Sequence, residues 1–328
     1  YTGNARTNAG SYTVNALIKA PGYQDLNLPA TLTIQKAKAL ITADATQTFV
    51  YDGTEKKITA TLNHTETPLA YAPQQGYTAA GTYEIIISAP ATANYLAAAD
   101  TVSLVIESAG LTGISFKDST ATYDGTPQSL AVSGTLPAGA TVSYTGNAQT
   151  NAGSYTVTAL IKVPNYQDVN LSATLTIQKA KAIITADATQ NFIYDGTVKN
   201  AVASLNHTET TLAYSPQQGY TATGTYEVII SAAATANYLT AADTVSLVIK
   251  KGTIAGITLA DSSFTYDGTP KSLAIKGTLP AGGTVTYTGN AKTNAGTYTV
   301  NALVKAPGYQ DLNLPATLTI QKAKALIT

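Results

Sequence analysis

A histidine and a glutamate stand two residues apart at two places in the sequence, as His64 with Glu66 and as His207 with Glu209. An imidazole beside a carboxylate could bind a metal ion or transfer a proton. A metal site requires three or four converging ligands, however, and each of these LNHTET segments offers only two. We therefore expect both histidines to lie in surface loops, and we predict no metal site and no catalytic site there.

The other acidic residues are scattered along the sequence. Residues such as Asp25, Asp44, Asp52 and Asp100 stand singly at turns, so the paired carboxylates of a glycoside hydrolase are not expected. Calcium would need six or more oxygen ligands, and the sequence contains no acidic loop with the spacing that supplies them. The chain has no cysteine, which excludes disulfides and thiolate sites. We predict that the protein is not an enzyme and takes no cofactor or metal.

Glutamate inside an apolar strand raises the question of an amide cross-link to lysine, a chemistry of Gram-positive pilus domains. Glu84 and Glu227 lie in TYEIII and TYEVII, and Lys56 and Lys199 begin another strand. Alternation along the strand turns Glu84 away from the face of its neighbours. We therefore expect an exposed glutamate and no cross-link.

Tyrosine rings could stack on sugars. Most of the tyrosines recur in YDGT, in A-G-x-Y and in N-Y or G-Y pairs, at positions that favour packing in a core. The better candidates lie in the PQQGY loops, which are polar and stand between strands, where binding loops are common. The predicted ligand-binding residues are Gln74, Gln75, Tyr77, Gln217, Gln218 and Tyr220.

The overall charge of the chain is balanced, with 19 basic and 19 acidic residues, and 12% of residues are charged. Such a chain has no net field to attract nucleic acid or an anionic membrane. No apolar run reaches the roughly 18 residues that a membrane span requires. Nucleic acid is therefore not an expected partner, and this stretch of chain is not expected to cross a membrane.

The elements that position these residues are set by internal repeats. A segment of 42 residues occurs in three nearly identical copies, at 1–42, 144–185 and 287–328, with an offset of 143. A shorter period lies inside it, because YDGT begins at Tyr51, Tyr123, Tyr194 and Tyr266, 71 or 72 residues apart. Repeats at fixed spacing indicate an array of structural units. Two diverged module types, A and B, therefore alternate along the chain.

Within a module the apolar residues alternate with a period of two. The segment YTVTALI at 155–161 places Tyr155, Val157, Ala159 and Ile161 on one face. Alternation of this kind, rich in Val, Ile, Thr and Tyr and broken by D-G, P-A-G and N-A-G, is typical of strands and turns. We predict an all-β fold, an elongated rod of small Ig-like β-sandwich modules, with β-grasp-like modules as the alternative.

The periods also set the predicted boundaries. The expected segments are the C-terminal half of an A module at 1–38, B modules at 39–108 and 182–251, A modules at 112–180 and 255–323, and the start of a further B module at 324–328. The A-to-B linker has no Gly or Pro between Ala30 and Asp52, which predicts a stiff joint. The B-to-A linkers contain glycine, for example Gly252, which predicts a softer joint.

Five motifs together resemble the MBG and YDG-type repeats of large bacterial surface proteins. They are YDGT at 123–126, GTLPAG at 134–139, VSYTGN at 142–147, NAGSYTVTA at 151–159 and ATLTIQKA at 173–180. The resemblance covers the whole chain, and the A modules are the closer match. It implies export, arrays of many copies and a stalk or adhesin role. It implies no catalytic residues.

We therefore expect an extracellular stalk, adhesin or fibre segment whose function is to provide length and stiffness. At roughly 30–40 Å per module, four and a half modules would span roughly 130–180 Å. A second hypothesis is an adhesin module that binds glycan or a host surface protein through the PQQGY loops. A third is a filament subunit whose partners are copies of itself, joined by strand addition.

Overall fold

The computed structural model describes residues 1–325 of the chain. Its contacts group into two compact units. One contains Tyr1–Thr120, Pro127–Gln149 and Ser154–Thr176, and the other contains Ala121–Thr126, Thr150–Gly153 and Ile177–Thr328. The described part holds strands and turns and no helix. Most of the predicted start of a further B module, residues 326–328, lies outside the described residues.

The first A segment forms one antiparallel hairpin of β1 (Gly10–Ile18) and β2 (Leu26–Ile34). In the first B segment, the strands are β3 (Ile41–Thr42), β4 (Thr46–Val50), β5 (Lys56–Lys57), β6 (Thr61–Leu62), β7 (Ala70–Ala72), β8 (Gly76–Tyr77), β9 (Gly81–Ala89) and β10 (Ala98–Glu107). Four of them form a sheet of order β4-β10-β9-β7, while β3 pairs with β6 and β5 with β8.

The remaining segments repeat this arrangement. The middle A segment carries β11 (Ser119–Thr122), β12 (Thr141–Thr145), β13 (Gly153–Lys162) and β14 (Val169–Gln178). The second B segment carries β15 (Ile184–Thr185), β16 (Thr189–Ile193), β17 (Ser204–Leu205), β18 (Leu212–Ser215), β19 (Gly224–Ala232) and β20 (Ala241–Lys250). The last A segment carries β21 (Ser262–Thr265), β22 (Thr284–Thr288), β23 (Gly296–Lys305) and β24 (Leu312–Gln321).

All four larger sheets have the same strand order. The first long strand runs parallel to the last, as β4 does to β10, β16 to β20 and β21 to β24. The last strand is antiparallel to the one before it, which in turn pairs with a further strand at the other edge. The predicted division into six segments remains a prediction, but the sheets show that each complete segment has a sheet of its own.

Each core lies between the larger sheet and the short strands that cover it. In the first B segment, Ile85 of β9 and Leu104 of β10 are fully buried against Ile41 of β3 and Ile58. Their neighbours on the strand, Glu84 and Ile86, are exposed, so the period of two read from the sequence is confirmed. Full burial of an Ile or Leu side chain contributes about 1.5–3 kcal/mol. The two-layer sandwich prediction is confirmed, and the described residues contain no helix of the kind that a β-grasp fold uses.

The turns have the predicted chemistry. In the first YDGT motif the Thr54 N–H donates to Asp52 Oδ1 at 2.9 Å, and Gly53 has a φ of 82° that favours glycine. In A-G-x-Y, the hydroxyl of Tyr83 donates back to the carbonyl of Ala79 at 3.0 Å. The same bond forms at Tyr12, Tyr226 and Tyr298. Each of these bonds forms a tyrosine corner, in which the hydroxyl ties the A-G turn to the strand that follows it.

Candidate functional site

The first PQQGY loop is partly integrated into its module. Gln74 is exposed, and its amide donates to the carbonyl of Gly76 at 2.7 Å. Gln75 is half-buried and donates to the carbonyl of Ile58 at 3.2 Å. The ring of Tyr77 stacks on that of Tyr83 at 3.7 Å and packs against the core. Of the three predicted residues, Gln74 alone is exposed to a partner.

The second PQQGY loop borders a shallow cavity. Asn200, Ala201, Tyr214, Gln217 and Gln218 line about 440 Å³. Gln218 Oε1 is buried and forms no hydrogen bond within the described residues. Tyr220 stacks on the tyrosine-corner ring of Tyr226 at 4.3 Å, as its counterpart does in the first loop. The structure therefore places Gln217 and Gln218 at a cavity and gives Tyr220 a packing role.

The two histidines are more buried than a surface loop would leave them. His64 lies flat on Tyr95 at 3.8 Å, and His207 lies flat on Tyr238 at 3.7 Å. In each ring Nδ1 accepts the backbone N–H two residues on, so the proton belongs on Nε2. Each Nε2 is buried without a hydrogen-bond partner in the described part of the chain. Both histidines lie in loops, as predicted, but each is half-buried because its imidazole packs as an aromatic ring.

Charged residues form local pairs. Lys56 donates to Asp52 within the YDGT turn, and Lys199 and Lys271 do the same in later copies. This pairing, together with the Thr hydroxyl, holds the pKa of the Asp52 carboxyl well below its usual range. Glu84 and Glu227 are exposed, as predicted. No group of three His, Cys, Asp or Glu residues that could hold a metal ion occurs in residues 1–325.

The most regular contacts of the chain lie where one module meets the next. At each joint a linker residue pairs in parallel with the tyrosine of an N-Y or G-Y pair in the following module. At the third joint, for example, the Ala180 N–H donates to the carbonyl of Asn237 at 2.9 Å, and the Leu239 N–H donates to the carbonyl of Ala180 at 2.9 Å. The four bridges join Ala37 to Tyr95, Ala109 to Tyr166, Ala180 to Tyr238 and Gly252 to Tyr309.

At three of these joints, two tyrosine rings from neighbouring modules pack against each other. The YDGT tyrosine of one module meets the N-Y or G-Y tyrosine of the next edge to face, a favourable geometry for aromatic rings. The ring centroids are 5.1–5.5 Å apart and the planes are 77–88° from parallel. The pairs are Tyr51 with Tyr166, Tyr123 with Tyr238, and Tyr194 with Tyr309. Burial raises the pKa of the Tyr123 hydroxyl, and the nearby Glu209 carboxylate adds to the effect.

An asparagine completes the first three joints. Asn237 Oδ1 accepts the N–H of Ala152, which lies in the A-G turn of the preceding module, at 2.8 Å. Asn94 accepts from Ala9 at 2.8 Å and Asn165 from Ala80 at 3.0 Å. Asn237 is 7% exposed, and within residues 1–325 it is the one polar side chain that is classed as buried. A buried amide with paired donors and acceptors fixes one arrangement of its neighbours.

Glutamate anchors this asparagine at both A-to-B joints. Glu209 accepts from the amide of Asn237 at 2.9 Å and from the hydroxyl of Thr235 at 2.6 Å. Hydrogen bonds to the ionised carboxylate, that of Thr235 first, hold the pKa of the Glu209 carboxyl below its ordinary value of 4.5. Glu66 has the same partners in the first copy and its pKa is lowered in the same way.

Glycine takes the place of asparagine at the fourth joint. Gly308 has a φ of 84°, and a Cβ there would overlap the ring of Tyr194. A Cβ at the linker residue Gly252 would overlap the carbonyl oxygen of Tyr194. The linker glycine was expected to soften this joint, but the structure shows that it permits a close contact. The parallel bridge between Gly252 and Tyr309 is the same as at the other joints.

The sequence pattern predicts that the YDGT and N-Y tyrosines pack in module cores, but the structure places them at the joints. Tyr51 and Tyr194 do touch their own cores, so the assignment was partly right. The paired tyrosines are 115 residues apart at all three joints, as from Tyr51 to Tyr166. This separation follows from the repeat period and does not by itself indicate a contact, so the pairing was not evident in the sequence.

These sheets and joints define the class of the protein as a tandem array of small β-sandwich domains of the repeat type. Residues 112–181 and 255–324 match the family model of the MBG domain. These two segments are similar to the MBG domain and cover a little under half of the chain, which is consistent with MBG-type tandem repeats. Both matched segments coincide with the predicted A modules to within one residue at the C-terminal end.

The solved structures that align with most of this chain share little sequence with it and have low TM-scores. Drosophila N-cadherin EC1-4 is 8% identical with a TM-score of 0.23, covering 84% of this chain and 98% of that one. Sidekick-1 immunoglobulin domains 1-5 are 12% identical with a TM-score of 0.25, covering 96% and 86%. Protocadherin gammaB7 EC3-6 is 9% identical with a TM-score of 0.27, covering 86% and 100%. None of the curated proteins compared with the chain matches it.

Proposed function

We propose that this chain is an extracellular spacer, a segment of a bacterial surface stalk, adhesin or fibre whose function is to provide length and stiffness. The proposal rests on the joints, since the same linker bridge recurs at four of them. A chain whose modules were independent would not need an aromatic pair and a buried asparagine at its linkers. The two segments similar to the MBG domain support a role as a repeated surface module.

Small-angle X-ray scattering of the full chain tests the proposal. If the joints hold the modules in line, we expect a maximum dimension of roughly 130–180 Å, from strand lengths of five to six residues per module layer. A rod of that length has a radius of gyration of about 40–50 Å, whereas a compact chain of this size would have about 20 Å. A radius near the lower value would refute the spacer.

A second candidate function is ligand binding at the cavity beside the second PQQGY loop, as expected for an adhesin module that contacts glycan or a host protein. The unpaired oxygen of Gln218 supports this candidate, because a donor from a ligand would satisfy it. The exposed Gln217 is the residue to change, since Tyr220 packs against Tyr226. In a glycan array, Gln217→Ala should lose a signal that Ala213→Ser, an exposed control outside the cavity, retains.

Self-association is a third candidate. The apolar residues Leu17, Ile18, Leu26 and Leu28 of the first hairpin are about half exposed, from 47% to 52%. A strand or sheet face from another copy could cover them. Sedimentation of the full chain over a range of concentrations should then show association that Leu17→Ser weakens, and a monomer at every concentration would refute it.

A further inference from the structure

The joints have two halves that can be described separately. The preceding module supplies what we call the socket, made of the YDGT tyrosine, the A-G turn and the linker. The following module supplies the plug, which is its N-Y or G-Y turn. At the third joint the socket consists of Tyr123, Ala152 and Ala180, and the plug of Asn237 and Tyr238.

The last A module carries the same socket residues 143 positions further on. They are Tyr266, Ala295 and Ala323. Together with Asn294 and the linker residues 322, 324 and 325, they line a cavity of about 490 Å³. Tyr266 is 42% exposed, whereas the other three YDGT tyrosines, which have plugs, are half-buried. Among the described residues, no backbone hydrogen bond reaches Ala323 or the Ala295 N–H.

We propose that this cavity is a docking site for the T-x-N-Y turn of a B-type module. The inference rests on the proposed function in that it treats the joint as the contact through which modules assemble. Its occupant is fixed by the two A-type sockets that are filled in this chain. Both hold a T-A-N-Y turn, residues 92–95 in one and 235–238 in the other.

Four contacts recognise the turn at the filled sockets. The last A module carries the socket residue for each of these contacts. Lys36 and Lys179 donate to the carbonyl of the turn's threonine, and Lys322 stands at their position. Two alanine N–H groups bind the asparagine, one at its side chain and one at its backbone carbonyl. The YDGT tyrosine receives the ring of the turn's tyrosine.

The socket asparagine distinguishes the B-type turn from the A-type turn. Asn94 and Asn237 donate from Nδ2 to Oδ1 of Asn8 and Asn151 at 3.3 Å. Asn294 supplies that acceptor at the open site. The socket of the first B module has Ala79 at this position, and its plug turn in the following A module is P-N-Y, with P-G-Y at the fourth joint. An A-type turn with glycine would leave Asn294 without its partner, which disfavours two A modules in succession.

The chain itself offers a way to supply the occupant in register. Residues 324–328 have the same sequence, KALIT, as residues 38–42. A second copy of residues 43–108 joined after Thr328 therefore reproduces the first A-to-B linker. Hydrogen exchange read by mass spectrometry can follow Ala295, because Lys292 and Thr297 give the surrounding peptide a mass different from the two earlier copies.

We expect the Ala295 amide to exchange at least about 10-fold more slowly in the extended chain than in the 328-residue chain. Tyr266→Ala in the extended chain should return the rate most of the way to that of the unextended chain, while Tyr266→Phe, which keeps the ring, should not. An appended module with slowly exchanging strands beside an Ala295 amide of unchanged rate would overturn the docking site. That outcome would not affect the spacer proposal. The spacer proposal would be refuted separately, by a compact scattering profile of the unextended chain.

Discussion

Replacing Asn237 with alanine is the most direct test of how the joints are held. Asn237 is 7% exposed and accepts the Ala152 N–H at 2.8 Å. In Asn237→Ala this half-buried N–H loses its partner, and leaving such a group unsatisfied costs about 1–3 kcal/mol. Since every 1.4 kcal/mol is a factor of ten, exchange of the Ala152 amide should be roughly 5- to 150-fold faster.

Hydrogen exchange at Ala152 measures this directly, because the amide lies in one module and its acceptor in the next. The exposed neighbour provides a control, and Ala236→Ser should leave the rate unchanged. Asn165→Gly at the second joint is an informative comparison. It also removes an acceptor, but Asn165 has a φ of 69°, which glycine tolerates better, so the cost should be smaller. An Ala152 rate that changes less than twofold in Asn237→Ala would refute the role of the asparagine.

Three further outcomes are expected. The lowered pKa of Glu209 means that its contribution to stability is present above pH 4.5 and is lost as the pH falls through the folded-state pKa. Thermal melts from pH 6 to 3 should show this loss of stability, and the loss should be smaller in Glu209→Gln. Leu247→Ala in the fully buried core should cost about 2–5 kcal/mol by denaturant titration, whereas Ile229→Ala, half exposed on the neighbouring strand, should cost much less. Gly308→Ala should separate the fourth joint, because its Cβ overlaps the Tyr194 ring, and hydrogen exchange at Gly252 should accelerate; an unchanged rate would contradict the close contact.

The strands and turns could be predicted because their causes are local. The alternation of Ile85, Ile87 and their exposed neighbours follows from the pleat, and the Asp52 turn follows from two adjacent residues. The partners across a joint could not be read in this way, because Ala9 and Asn94 are 85 residues apart and their motifs, A-G-x-Y and N-Y, are equally compatible with packing inside their own modules.

The candidate binding residues show the same limit. The sequence correctly marked PQQGY as a loop between strands, but it could not show that Tyr77 stacks on Tyr83, six residues away in sequence and on another strand. It also could not distinguish the two copies, of which the second borders a cavity that includes Asn200. Burial of a particular ring depends on packing that composition and spacing do not encode.

The parallel pairing of the first and last strands of the larger sheet makes each complete module resistant to a force that pulls its two ends apart. In the first B module, Thr46–Val50 of β4 lie alongside Ser103–Glu107 of β10 in register. A pull on the two ends of such a module slides these strands past each other along their length, so the hydrogen bonds between them must break together. Single-molecule stretching should therefore show tall, separate rupture peaks in place of gradual unzipping. Under tension the modules would therefore unfold one at a time, and the chain would lengthen in discrete steps.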